Sequence, residues 1–244
     1  MAGATLRAAT TTTRRQRGLA RDACAFSSAL LLALSCLGAT AAAAQTETLS
    51  GAALLSALKA GGLILYFRHA STDFGQNDEQ MTGFEDCARQ RNLTDRGRDE
   101  ARAIGTAIAR LGLPIGDVLA SPFCRTMETA RLIFGRASAS TAVRGGPASG
   151  GATERYAALR ELLSTAPAAG TDLVIVSHGN PLHAVAGEIN LAEGEAAVIR
   201  PLGAAGFRIV ARIPKDGWVT LVSARIPASQ ALAIAGPGLP NALH

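Results

Sequence analysis

Residues 63–72 read Leu-Ile-Leu-Tyr-Phe-Arg-His-Ala-Ser-Thr. The first five residues form an uninterrupted apolar run, which is followed directly by an arginine and a histidine. An apolar run of this length, following two glycines, is typical of a strand that is buried on both faces, as in a parallel sheet. In open α/β sheets, ligands bind beyond the carboxyl ends of the strands. The sequence therefore predicts a buried strand over residues 63–67, with Arg68 and His69 placed where a ligand would bind.

The rest of residues 45–225 alternates short apolar runs with longer amphipathic ones, which predicts a parallel or mixed sheet flanked by helices. Thr94 is predicted to cap a helix that Gly112 and Pro114 end. Further helices are predicted over residues 126–134 and 153–163. Strands are predicted over residues 117–120 and 173–176, and a closing hairpin over residues 206–213 and 218–222.

The first 44 residues have a different composition from the rest of the chain. Five arginines and one acid precede an apolar run over residues 25–37 and then small residues ending at Ala44. This pattern predicts a signal peptide, residues 1–44, and export to the periplasm or outside the cell. An uncleaved anchor is the alternative, but the apolar run is shorter than the roughly 20 residues that a membrane span needs. We therefore expect no stable membrane insertion after cleavage, a domain over residues 45–225 and an unplaced tail over residues 226–244.

Charge gives little information about partners. The predicted signal peptide accounts for +4 of the formal net charge of +5, so the mature chain is expected to be nearly neutral. A nearly neutral chain gives no sign of the basic surface that binds nucleic acid, so no nucleic-acid partner is expected. The oligomeric state stays open.

Arginine and histidine also follow two other predicted strands. Residues 121–126 read Ser-Pro-Phe-Cys-Arg-Thr, and residues 177–181 read Ser-His-Gly-Asn-Pro. Arg125 and His178 are therefore expected to meet the first pair at one edge of the sheet. Like charges repel, so such a cluster needs an anion to neutralise it, and the planar fork of arginine suits phosphate oxygens. The sequence thus predicts a binding site for a phosphoryl group.

These three motifs resemble the signatures of the histidine phosphatase superfamily, of which the phosphoglycerate mutases form one branch. Residues 92–97, Asn-Leu-Thr-Asp-Arg-Gly, are similar to a fourth family segment, although Glu100 stands where glutamine is usual. The resemblance implies a three-layer α/β/α sandwich with a mostly parallel central sheet. It also implies hydrolysis of a small-molecule phosphate ester without a metal or other cofactor. His183 lies five residues after His178 and matches no metal-binding spacing.

The resemblance assigns a role to each matching residue. His69 would be the nucleophile, with one ring nitrogen donating to a backbone carbonyl, and water would then hydrolyse the phosphohistidine. Glu154 is the candidate proton donor to the leaving group, and Asp73 is the alternative. The phosphate-binding residues would be Arg68, Thr72, Arg125 and His178.

Two cysteines of the predicted mature chain, Cys87 and Cys124, either form a disulfide or stay as buried thiols. A disulfide would pin the segment 72–91 over the pocket. The leading functional hypothesis is an exported phosphomonoesterase. The alternatives are a catalytically weak module that binds phosphate or a phosphosugar, and a mutase of the phosphoglycerate type. The natural substrate stays open.

Overall fold

The apolar run after Gly62 forms strand β1 (Ile64–Arg68) of a computed structural model that describes residues 48–145, 155–187 and 189–224. The described residues all belong to one unit, residues 44–244. Side chains of β1 alternate between two apolar cores, with Leu65 and Phe67 in one core and Ile64 and Tyr66 in the other. Because both faces of the strand are covered, its sequence is apolar without interruption.

Five other strands join β1 in one sheet within the described ranges. β1 to β4 run parallel to one another, whereas β5 is antiparallel to both β1 and β6. The order across the sheet is β3-β2-β4-β1-β5-β6, in which β2 is Ile115–Ala120, β3 is Ser138–Ala139, β4 is Asp172–Ser177, β5 is Ala196–Pro201 and β6 is Phe207–Ile213.

Helices cover both faces of this sheet. Four of them contribute to the core on the Phe67 side: α1 (Gly51–Ala60), α2 (Asp95–Leu111), α3 (Cys124–Phe134) and α6 (Gly217–Ala224). Two pack on the Tyr66 side: α4 (Ala157–Ser164) and α5 (Gly179–Ala186). The structure confirms the predicted α/β class, with helices on both faces of a mostly parallel sheet.

Helix α2 begins where the sequence predicts it. The Thr94 hydroxyl accepts a hydrogen bond from the Gly97 backbone N–H at 3.0 Å, and Gly112 ends the helix in the left-handed conformation with φ of 64°. Gly97 packs against the turn after β1, because a Cβ at this position would stand 2.0 Å from the Ser71 carbonyl oxygen. The first turn of α2 is thereby held against the residues that follow His69.

The predicted closing hairpin is wrong in its second half. Residues 218–222 belong to helix α6, because Trp218, Leu221 and Val222 are spaced three and four apart and are all buried. The Trp218 ring stacks on Phe67 at 5.6 Å between centroids. The true partner of β6 is β5, which the sequence did not predict.

The ends of the chain and one loop fall outside the described ranges. The predicted signal peptide, the tail over residues 226–244 and the start of the predicted helix at 153 lie there. No helix of the described part is long and apolar enough to cross a membrane.

Candidate active site

Three neighbouring parallel strands end at one cavity. β2, β4 and β1 are adjacent in the sheet, so the residues that follow them are brought together at its carboxyl edge. The rings of His69 and His178 lie 5.4 Å apart between centroids, edge to face. The cavity has a volume of about 590 Å³, and its described lining is Arg68, His69, Asp78, Met81, Arg91, Phe123, Arg125, His178, Gly179, Asn180, His183, Asn190 and Leu191.

His69 has a fixed tautomer. Its Nδ1 lies 2.9 Å from the Ala70 carbonyl oxygen, which can only accept, so Nδ1 carries the hydrogen and Nε2 keeps its lone pair. The ring is only 1% exposed. Burial, together with the positive charges of Arg125 and Arg68, lowers the pKa of His69 to about 3. His69 is therefore neutral at pH 7, the state in which an imidazole can act as a nucleophile.

His178 is held from three sides. Its Nε2 lies 2.9 Å from the Ser121 hydroxyl, and its carbonyl oxygen accepts a hydrogen bond from the Tyr66 hydroxyl at 2.8 Å. Gly145 leaves room for the ring, because a Cβ there would meet it at less than van der Waals distance. Burial holds the pKa of His178 well below its ordinary value, and the neighbouring His69 lowers it further.

Three guanidinium groups make the cavity electropositive. Arg125 is 5% exposed and stacks on the Phe123 ring, while Arg68 is fixed by a 2.8 Å hydrogen bond to the Leu191 carbonyl oxygen. Arg91 is the third, and its buried Nε has no hydrogen-bond partner among the residues that the structure describes. Such a cluster of donors suits the oxygens of a phosphoryl group.

The predicted phosphate-binding residue Thr72 is hydrogen-bonded to a carboxylate of the protein. Its hydroxyl donates to the Glu193 carboxylate at 2.6 Å, and its backbone N–H donates to the same carboxylate at 3.2 Å. Glu193 also lies 3.6 Å from the Arg68 guanidinium and 3.8 Å from His69 Nδ1. Thr72 therefore supports the cavity through Glu193, and it is not one of the described residues that line it.

The loop between β1 and α2 is tied down beside the cavity. Cys87 and Cys124 form a disulfide, one of the two alternatives that the sequence left open. The Gln90 side chain strengthens this connection by accepting a hydrogen bond from the Cys124 backbone N–H at 2.9 Å. Because Cys124 directly precedes Arg125, the disulfide joins the loop to the start of the helix that carries this arginine.

The two predicted proton donors have different outcomes. Asp73 is exposed, its carboxylate accepts a hydrogen bond from the Gly75 backbone N–H, and it is absent from the described lining of the cavity. Glu154 lies outside the described residues. His183 lines the cavity, and no group of three potential metal-ligating side chains occurs in the described ranges.

Three charged residues of this region were not predicted as site residues: Asp78, Arg91 and Glu193. Asp78 and Arg91 lie in the segment 72–91, which was expected only to be pinned over the pocket by a disulfide. Glu193 lies 121 residues from the Thr72 that it contacts, and no motif marks it. Only the folded chain shows that these side chains meet the histidines.

The model of the histidine phosphatase superfamily (branch 1) matches residues 64–146, which contain His69 and Arg125. Over these residues the chain is similar to the histidine phosphatase superfamily. A comparison with curated proteins gives no match.

Several solved structures are similar to this chain at low identity. The protein histidine phosphatase SixA with tungstate is 17% identical, covers 63% of this chain and 97% of its own, and has a TM-score of 0.46. A mycobacterial glucosyl-3-phosphoglycerate phosphatase with VO3 is 16% identical. It covers 61% of this chain and 97% of its own, with a TM-score of 0.45. A protein of Thermus thermophilus is 17% identical. It covers 62% of this chain and 99% of its own, with a TM-score of 0.45.

Proposed function

We propose that this chain is an exported phosphomonoesterase that hydrolyses a small-molecule phosphate ester through a phosphohistidine on His69. The observation that carries the proposal is the state of the His69 ring. It is buried and neutral, its Nδ1–H is fixed on a backbone carbonyl, and it faces His178 and three arginines. A neutral nucleophile inside a cluster of cationic donors is the arrangement that phosphoryl transfer to an imidazole requires.

In the first step, the lone pair on His69 Nε2 attacks phosphorus and the bond to the ester oxygen breaks. Negative charge on the three equatorial oxygens is stabilised by Arg68, Arg125 and a hydrogen bond from His178. All three of these side chains line the cavity that holds His69, so they are placed to stabilise the charge that develops there. In the second step, water attacks the phosphohistidine and releases inorganic phosphate.

Glu193 supports this chemistry from behind the nucleophile. When Nε2 bonds to phosphorus, the imidazole ring gains positive charge while Nδ1 keeps its hydrogen. The Glu193 carboxylate, 3.8 Å from Nδ1, is placed to stabilise that charge. It also fixes Thr72, and so the turn that carries His69, through two hydrogen bonds.

Export is supported by two features of different kinds. The composition of residues 1–44 is that of a secretory signal, and the Cys87–Cys124 disulfide is of the type that persists in oxidising compartments. Cell fractionation of a strain that expresses the full chain tests this part, since a cytoplasmic, uncleaved product would contradict it.

The activity is tested with p-nitrophenyl phosphate and purified protein that begins at Gln45. We expect turnover in the wild type and its loss, by about 10⁴-fold or more, in His69→Ala, because the nucleophile is removed. Wild-type protein that binds inorganic phosphate without any turnover would instead indicate a phosphate-binding module. Transfer of a phosphoryl group between positions of phosphoglycerate would indicate a mutase.

A further inference from the structure

Among the described residues, one carboxylate lies inside the cavity, and no sequence motif assigns it a role. Asp78 is the single acid among the described residues that line the cavity, and its side chain is 31% exposed, so it is within reach of a bound molecule. The loop that carries it joins β1 to α2 and is pinned by the disulfide to the start of α3.

The Asp78 carboxylate has a defined position on the phosphate-binding arginine. Its two oxygens each accept a hydrogen bond from the Arg125 guanidinium at 3.0 Å, one from Nη1 and one from Nη2. The Arg91 backbone N–H donates to it at 2.9 Å. A phosphoryl group bound by Arg125 would therefore lie directly beside this carboxylate.

We propose that Asp78 is the proton donor to the leaving-group oxygen and the base that activates water in the second step. This assignment rests on the proposed function. It follows from geometry, because a donor must lie within hydrogen-bond reach of the ester oxygen. Asp78 shares a guanidinium with the phosphoryl group, whereas Asp73 lies on an exposed turn.

The charge environment of Asp78 changes when substrate binds. In the protein alone, burial acts to raise its pKa, but the Arg125 guanidinium and the Arg91 N–H outweigh burial and lower it. A bound phosphoryl group takes over hydrogen bonds of Arg125 and adds negative charge next to the carboxylate. Both effects raise the pKa of Asp78, so substrate binding itself promotes the protonated form that can act as an acid.

The proton balance closes over one cycle. In the first step, the N–P bond to His69 forms, the P–O ester bond breaks, and the Asp78 proton moves to the leaving oxygen, which departs as an alcohol. In the second step, the Asp78 carboxylate accepts a proton from the attacking water. The O–P bond forms, the N–P bond breaks, and inorganic phosphate leaves a neutral His69 and a protonated Asp78.

The test compares Asp78→Asn with wild type on two esters of different leaving groups. The first ester, p-nitrophenyl phosphate, has a leaving group that needs little protonation, whereas the second, an alkyl phosphate such as glycerol phosphate, needs a full proton. We expect kcat for the alkyl ester to fall about 10²- to 10⁴-fold and kcat for the aryl ester to fall less than about tenfold. Inorganic phosphate should inhibit the variant at least as well as it inhibits wild type, because Arg125 loses a competing anion.

Matched variants separate this role from a structural one. Glu79→Gln removes an exposed acid of the same loop and should leave both activities unchanged. Equal losses on the two esters, or weaker inhibition by phosphate, would show that Asp78 only positions Arg125 and would overturn the proposal. A leaving-group-dependent loss in Glu154→Gln or Asp73→Asn, but not in Asp78→Asn, would also overturn it. Failure of the proposed function is distinct, since wild type would then hydrolyse neither ester.

Discussion

Replacing Glu193 by glutamine tests how the nucleophile is activated. The side chain keeps its size and one oxygen that can accept from Thr72, but the negative charge 3.8 Å from His69 Nδ1 is lost. Two unit charges at this distance interact by about 4 kcal/mol at an effective dielectric constant near 20. The ring charge is delocalised and Arg68 partly screens the carboxylate, so we expect a loss of about 1.5–3 kcal/mol in the transition state. This corresponds to a rate of phosphorylation that is lower by about 13- to 160-fold.

The measurement is the single-turnover rate of phosphorylation of His69 by p-nitrophenyl phosphate in a rapid-quench instrument. Phosphate affinity should stay equal or increase, because a negative charge near the anion is removed, so the defect falls on kcat rather than on KM. Glu195→Gln is the control, since this acid of the same loop binds Arg212 instead of the nucleophile. A Glu193→Gln rate within about threefold of wild type would refute the role of this carboxylate.

Three further predictions concern stability. Gly97→Ala places a Cβ 2.0 Å from the Ser71 carbonyl oxygen, and should lower the free energy of unfolding in urea by about 3 kcal/mol or more; a loss under about 1 kcal/mol would contradict the close packing. Burial raises the pKa of Asp172 from 3.8 to about 6, so its stabilising contribution is present below about pH 4 and is lost as pH rises through 6. Asp172→Asn should remove this pH dependence and raise the free energy of unfolding by about 1 kcal/mol above pH 7. An unchanged dependence of stability on pH in this variant would contradict the prediction. The double variant Cys87→Ser, Cys124→Ser removes a cross-link between residues 37 apart and should lower the free energy of unfolding by about 2–4 kcal/mol. If the wild type has the same urea midpoint with and without reductant, this prediction is wrong.

The strand and motif residues of the site could be predicted because their signals are local. The apolar run at residues 63–67 requires a strand that is covered on both faces, and parallel strands bring the residues that follow them to one edge of the sheet. Arg68, His69, Arg125 and His178 follow three such strands, and they meet in the structure. The beginning and the end of α2 could also be predicted, because Thr94 caps the helix and Gly112 ends it.

The remaining features depend on contacts between residues that are distant in the chain. Residues 218–222 contain β-forming side chains, but a short apolar run does not distinguish a strand from a buried helix. Strand β5 begins with two alanines, which are weak strand formers, so its pairing with β1 is visible only in the sheet. The contact between Glu193 and Thr72, and that between Asp78 and Arg125, join charged loop residues whose partners no local pattern specifies.

Phosphoenzyme trapping shows whether His69 carries the phosphoryl group. Wild-type protein is mixed with ³²P-labelled p-nitrophenyl phosphate, quenched in alkali to preserve phosphohistidine, and mapped by peptide. We predict acid-labile label on the peptide that contains His69, approaching one phosphoryl group per chain under conditions that slow hydrolysis, and no label in His69→Ala. Label on another residue, or turnover that persists in His69→Ala, would contradict the account.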